Sequence, residues 1–247
     1  TQARSFDTIA AILDEAQVSV VPHLTCIGSS EEGIRTILNR FRDQGIRRLV
    51  ALRGDFPPGA ETGTGGHFGH AAELVAMIRS EHGDWFDIDV GCYPEVHPQA
   101  ASAKADLMHF KAKVDAGASG AITQYFYTLD AYDRFVDRCR SHGIDVPIVP
   151  GIMPILNYHQ LARFSDSCGA EIPRWLRQRL QELADDPPAL QAFGIEVVAD
   201  LCRRLLEGGA PGLHIYTLNQ ARATEQLWAA LGLTQPRDSA EVTPERL

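Results

Sequence analysis

The stretch RRLVALRGDFPPG, residues 47–59, decides the fold: the apolar run RRLVAL (47–52) passes directly into Arg53, Gly54 and Asp55. A strand with one wet face alternates polar and apolar residues, whereas a parallel strand covered on both faces reads as a nearly continuous apolar run. This run does not alternate, so it predicts a buried parallel strand with polar groups gathered where it ends. Working outward, five further apolar runs are bounded by turn residues, VSVVPHL (18–24), FDIDVGCY (86–93), GAITQYFY (120–127), VPIVPGIM (146–153) and GLHIYTL (212–218), and several are nearly apolar throughout. Parallel strands need long crossovers, usually helical. The intervals supply them. In SSEEGIRTILNRFRDQG, Ile34, Ile37, Leu38 and Phe41 recur at helical spacing, Ser29 or Ser30 caps the start and Gly45 stops it. Comparable amphipathic stretches span about 68–80, 100–116, 129–141, 158–167, 173–183, 189–207 and 220–230.

An initial helix followed by alternating strands and helices fits either an open doubly wound sheet or a (β/α)8 TIM barrel. No dinucleotide fingerprint opens the chain, and six strands after a helix fit the barrel with about six of its eight strands present. The expectation is therefore an α/β chain whose residues 1–234 form a single β/α barrel domain lacking its first two strands, with 235–247 a polar, frayed tail. ADDPPA (184–189) reads as a turn between helices. The chain begins on Thr1 rather than Met, and a barrel short of two strands exposes strand edges. Either the natural product is longer or a second chain fills the gap.

Composition narrows the function. The chain has 247 residues, 45% hydrophobic and 22% charged, with a formal net charge of −9. Scattered Lys and Arg on an acidic chain exclude a large nucleic-acid footprint. No run approaches the roughly 18 apolar residues of a membrane span, and no signal peptide opens the chain. Cys26, Cys92, Cys139, Cys168 and Cys202 are odd in number and form no CxxC pair. They read as free thiols of a cytoplasmic protein.

Candidate functional residues follow the strand ends, where α/β enzymes carry their sites. Arg53, Gly54 and Asp55 place backbone N–H groups, a cation and a carboxylate in one turn, which suits a polar ring or a phosphate; the competing account is a surface ion pair. GTGGHFG (63–69) misses the GxGxxG spacing and reads as a lid-like connection, and His67 and His70 lack the partners of a zinc site. In YPEVHP (93–98), two prolines stiffen a loop carrying Tyr93, Glu95 and His97, either for contact with a flat cofactor or with His97 simply buried and hydrogen-bonded. Asp106, His109 and Lys113 share one helix face, a ribose or phosphate site or else a solvated stripe. Gln124 stands in an apolar strand and needs partners wherever it points. Gln160 and Phe164, four residues apart, present an amide and a ring together.

Taken together, HLTC (23–26), ALRGDFPPG, YPEVHP, the DL..FK.KVDAGA pattern from Asp106, AITQYF, IVPGIMP, IPRW and YTLN resemble the bacterial 5,10-methylenetetrahydrofolate reductases from residue 18 to about 230. The resemblance implies an eight-stranded β/α barrel with FAD at the strand C-termini. It implies NADH or NADPH as electron donor, 5,10-methylenetetrahydrofolate as substrate and 5-methyltetrahydrofolate, used for methionine synthesis, as product. His23, Arg53, Gly54, Asp55, Ala71, Tyr93, His97, Asp106, His109, Lys113, Ile122 and Tyr216 match positions that bind the flavin. Asp55, Gln124, Gln160 and Phe164 match folate positions, with Asp55 and Gln124 the catalytic candidates. Asp55 would also tune the flavin potential. The resemblance further implies a homo-oligomer, with no metal. Three departures stand out. The family strand bearing its general-acid Glu is absent from this chain. Gln220, with Arg222 beyond it, follows YTLN where the family often has Arg. His109 and Ala112 replace residues that are often Asn and Arg. The alternatives are a folate- or flavin-binding module without turnover, and a flavin-independent reductase.

Overall fold

The computed structural model describes residues 2–16, 18–55 and 68–233. The polar tail from 235 and most of the glycine-rich connection, with His67, lie outside the described residues. The chain divides into two compact units, Thr1–Gln124 with Asp130–Pro150, and Tyr125–Leu129 with Gly151–Leu247.

The first unit holds helix α1 (Gln2–Ala16) and then β1 (His23–Thr25), α2 (Glu31–Asp43), β2 (Arg48–Leu52), α3 (Ala71–His82), β3 (Asp87–Cys92), α4 (Ala103–Asp115), β4 (Gly120–Thr123), α5 (Leu129–Ser141) and β5 (Ile148–Val149). Its strands form one sheet in the order β1-β2-β3-β4-β5, with every pairing parallel. The helices form as the apolar spacing predicts. On α2, Ile34, Ile37, Leu38 and Phe41 are buried, and the Ser30 hydroxyl caps the start by accepting from Gly33 N–H at 3.1 Å. α1 docks on the same helix: the Phe6 and Phe41 rings lie 5.3 Å apart and the Arg40 guanidinium sits 3.7 Å over Phe6. Leu49, Ala51, Ile88, Val90 and Ala121 are fully buried, and Asp89 of β3, which Arg48 holds at 2.7 Å, is also buried.

The second unit contains β6 (Gly151–Ile152), α6 (Tyr158–Cys168), α7 (Arg174–Glu182), α8 (Pro187–Glu207), β7 (His214–Ile215) and α9 (Ala221–Ala230), with β6 and β7 paired in parallel. The PP pair begins α8 rather than preceding it, because proline tolerates the first helical turn and Asp186 caps it by accepting from Ala189 N–H at 3.1 Å. At Gly194 on α8 a Cβ would lie 2.6 Å from the Ile155 carbonyl oxygen, so this close approach admits only glycine.

The alternating parallel β/α order is that of the TIM-barrel type, as expected, although the two ladders are separate and no closed barrel forms among the described residues. Three strand assignments shift. The first strand begins at His23 rather than Val18, and Pro22, which has no N–H to donate, enters the ladder only through its carbonyl, accepting from Val50 N–H at 2.9 Å. VPIVPGIM is two strands, not one: Pro150 interrupts it, with β5 pairing to β4 and β6 to β7. β4 stops at Thr123, which pairs with Cys92, the last residue of β3, so Gln124 follows the strand rather than lying within it.

Candidate functional site

The C-terminal ends of β1 and β2 are laced together. Ile27 N–H donates to the Arg53 carbonyl at 2.8 Å, and Cys26 N–H lies 3.1 Å from the Leu52 and 3.2 Å from the Arg53 carbonyl. The chain then turns at Gly54, whose φ is +86° and where a Cβ would lie 2.9 Å from Ile27 Cγ2 and 3.1 Å from Thr25 Cβ. Both the backbone and the space demand glycine. Beyond this turn, Asp55 is exposed, while half-buried Arg53 donates from Nε to the Gly54 carbonyl at 3.1 Å and from Nη2 to Gln99 Oε1 at 2.8 Å.

After β3 comes the YPEVHP loop. The Tyr93 and His97 rings meet edge to face at 4.5 Å. Between them Val96 has φ +81°, a left-handed backbone that a β-branched residue adopts only under constraint from its surroundings. The constraints are visible. His97 N–H donates to Asp106 Oδ2 at 3.0 Å, Ala100 N–H donates to the His97 carbonyl at 2.9 Å, and Gln99 N–H donates to His97 Nδ1 at 3.0 Å. Since a backbone N–H only donates, Nδ1 is an acceptor and the neutral ring carries its proton on Nε2. Burial lowers the His97 pKa, Arg53 and Lys113 lower it further, and Asp106 and Asp55 oppose them.

On α4, Asp106 and Lys113 turn toward strand β3 and its loop: Asp106 holds His97, and Lys113 Nζ donates to the Gly91 carbonyl. This is not a solvated stripe. Burial depresses the Lys113 pKa against the opposing pull of Cys92 and Asp106. His109, on the same helix, is exposed and faces the His70 ring at 6.2 Å. Ala71 is the first residue of α3, and Gly69 and His70 donate their N–H groups to Glu73 Oε2 at 2.6 and 3.1 Å. Ile122 is half-buried on β4, and Gln124 N–H donates to the Cys92 carbonyl at 2.8 Å. His23, which heads β1, has its pKa lowered by partial loss of hydration.

The remaining candidates lie in the second unit. Gln160 and Phe164 are exposed on α6, which Asn157 caps by accepting from Gln160 N–H at 2.9 Å. Tyr216 N–H donates to the Ile152 carbonyl at 2.8 Å, with its ring 4.9 Å from His214 and 6.5 Å from Tyr125. Gln220 precedes α9 without a side-chain cap bond, and Ala112 is exposed on α4. No group of three His, Cys, Asp or Glu that could hold a metal occurs among the described residues. The five thiols are free, and burial raises the pKa of Cys26 to about 11 and of Cys139 and Cys202 to about 12, so these thiols are poor nucleophiles. Two features escape sequence reasoning. A valine carries no hint of a positive φ, and nothing in the pattern marks Gln99 as the residue bonded to both Arg53 and His97.

A parallel β/α fold that brings Arg53, His97, Asp106 and Lys113 together around β3 and the loops after β2 and β3 has the architecture on which β/α enzymes carry their sites. The family model for methylenetetrahydrofolate reductase matches residues 1–232. The 5,10-methylenetetrahydrofolate reductase of Escherichia coli K12 is 43% identical over 230 residues, 93% of this chain and 76% of that protein. The methylenetetrahydrofolate reductase (NADH) 1 of Arabidopsis thaliana is 39% identical over 240 residues, 93% of this chain and 40% of that one. The probable methylenetetrahydrofolate reductase (NADPH) of Caenorhabditis elegans is 40% identical over 225 residues, 91% and 34%. The chain belongs to the methylenetetrahydrofolate reductase family and is an oxidoreductase. Among solved structures, an uncharacterized protein from Clostridium thermocellum that binds two copies of 5-methyl-5,6,7,8-tetrahydrofolic acid shares the fold, with a TM-score of 0.56 at 16% identity over 90% of this chain and 77% of that one.

Proposed function

We propose that this protein reduces 5,10-methylenetetrahydrofolate to 5-methyltetrahydrofolate with FAD as cofactor and NADH or NADPH as electron donor. The observation that carries this is the 43% identity over 93% of the chain to a reductase of that substrate, joined to a donor set at the strand ends that suits such a cofactor. When bound, FAD supplies a two-electron carrier between nicotinamide and folate. The chain's own residues fit it chemically. Arg53 is a fixed cation, and His97 offers an Nε2–H. The Lys113 ammonium has three N–H groups, of which one goes to Gly91. These groups suit phosphate and ring oxygens; Tyr93, Ala71, Ile122 and Tyr216 supply apolar and aromatic surface, and His23, Gly54, Asp106 and His109 complete the cofactor positions. Exposed Asp55 would accept from N–H donors of the pterin, and its carboxylate would oppose negative charge on a flavin held there. Gln124, Gln160 and Phe164 receive the folate. On the same proposal, residues 1–234 act as one barrel domain in a homo-oligomer, and the free thiols fit the reducing cytoplasm.

The test is an absorption spectrum of the purified chain, followed by anaerobic NADH or NADPH and then substrate. Flavin bands that bleach with the nicotinamide and return with methylenetetrahydrofolate are expected. Bands that never bleach would leave a binding module, and turnover by a colourless protein would establish flavin-independent reduction.

A further inference from the structure

We propose that Gln99 is a positioning residue: its side-chain oxygen holds Arg53 and its backbone N–H holds His97 Nδ1, so that one residue orients both candidate cofactor-binding side chains and keeps His97 in its Nε2–H form. The two bonds are 2.8 Å from Arg53 Nη2 to Gln99 Oε1 and 3.0 Å from Gln99 N–H to His97 Nδ1. The first joins the loop after β2 to the loop after β3, and the second lies within the loop after β3.

The need for such a brace is local. Val96 sits at φ +81°, so the loop does not hold its own shape and relies on external ties. Asp106 secures the His97 backbone from α4, but the imidazole itself is oriented at Nδ1 by Gln99 N–H. A protonated imidazole has no lone pair at Nδ1, so charging His97 forfeits this bond. The groups that act on the ring are Arg53 and Asp55 from the loop after β2 and Asp106 and Lys113 from α4. Removing the side chain of Gln99 breaks the bond to Arg53 directly; the backbone N–H stays in place but loses the tie that anchors its residue to the loop after β2. Because Gln99 is exposed, truncating it leaves the core untouched.

The role assigned to Arg53 and His97 rests on the cofactor proposal above, whereas the brace is decided by the protein alone. The experiment records the ring-nitrogen NMR signals and pH titration of His97 in the full 247-residue chain, as wild type, Gln99→Ala and Gln99→Glu, with FAD affinity measured beside them. In wild type, His97 is expected as the Nε2–H tautomer, titrating below 6.5. In Gln99→Ala the tautomers mix, the midpoint climbs toward 6.5, and FAD binding weakens by about tenfold, the loss of one charge-assisted contact. Gln99→Glu, whose carboxylate still accepts from Arg53, keeps the Nε2–H tautomer of wild type, while its added negative charge raises the midpoint. An unchanged tautomer and midpoint in Gln99→Ala overturns the proposal. A wild-type chain that binds no FAD while the alanine variant still shifts His97 refutes the flavin assignment and upholds the brace.

Discussion

Replacing Gly54 by alanine tests whether the turn after β2 is as constrained as its geometry indicates. At φ +86°, an L-residue pays about 1–2 kcal/mol for the left-handed backbone. The new methyl also meets Ile27 Cγ2 at 2.9 Å and Thr25 Cβ at 3.1 Å, both side-chain atoms close to the main chain, and the Ile27 backbone is itself bonded to Arg53. Neither neighbour is the loose end of a long side chain, so overpacking adds about 1–3 kcal/mol. The total, roughly 2–5 kcal/mol, corresponds to a fall in Tm of about 5–15 °C for a chain of this size. Gly45 provides the control: its φ is +73°, yet a Cβ there meets nothing within 4 Å, so Gly45→Ala carries the backbone cost without the contact. Urea and thermal unfolding followed by circular dichroism should place Gly54→Ala below Gly45→Ala by the contact cost. Equal stabilities for the two variants would refute the close-packing argument, and a Gly54→Ala protein within 0.5 kcal/mol of wild type would refute both parts of it.

Gly120→Ala sets a Cβ 2.5 Å from Asp89 Oδ1, displacing a buried carboxylate that Arg48 holds at 2.7 and 3.1 Å; a loss of about 2–4 kcal/mol in urea unfolding is expected, and a loss under 1 kcal/mol would contradict it. Burial lowers the pKa of His23, His82 and His97 below 6.5, so the unfolded chain binds more protons than the folded one between those lowered values and 6.5. Stability therefore falls as the pH drops through that window; the urea midpoint should be lower at pH 5.5 than at pH 7.5, and equal midpoints would exclude the three histidines as a source of acid sensitivity. In a thiol-reagent assay at pH 8, the native protein should expose at most half-buried Cys168 to rapid reaction, with all five cysteines reacting in urea. Rapid labelling of two or more native thiols would show that the burial of the others is not maintained in solution.

Much of the fold is legible because hydrophobic periodicity is a local property. The helix from Leu129 to Ser141 has the predicted bounds, and the buried face of α2 is the set Ile34, Ile37, Leu38 and Phe41. Strand limits are less legible. Whether Gln124 lies within β4 depends on how far its neighbour extends, and that neighbour, β3, ends at Cys92, opposite Thr123 and far away in sequence. A strand ends where its partner stops supplying hydrogen bonds, which no window around Gln124 contains. The proximity of the candidate residues to strand ends was likewise readable in RGD and YPEVHP, because parallel β/α folds place their sites there.

By itself, the amino-acid sequence determined the parallel β/α order, the faces that are buried and the membership of the family. Each of these rests on residue type and spacing along the chain. Only the tertiary structure decided the left-handed Val96, the tautomer of His97, the inward turn of Asp106 and Lys113 and the double contact of Gln99. Some of those depend on hydrogen bonds between groups distant in sequence, as from Gln99 to Arg53, 46 residues apart; the His97 tautomer turns on a donor only two residues away, and backbone donors look alike until folding sets each one against its acceptor.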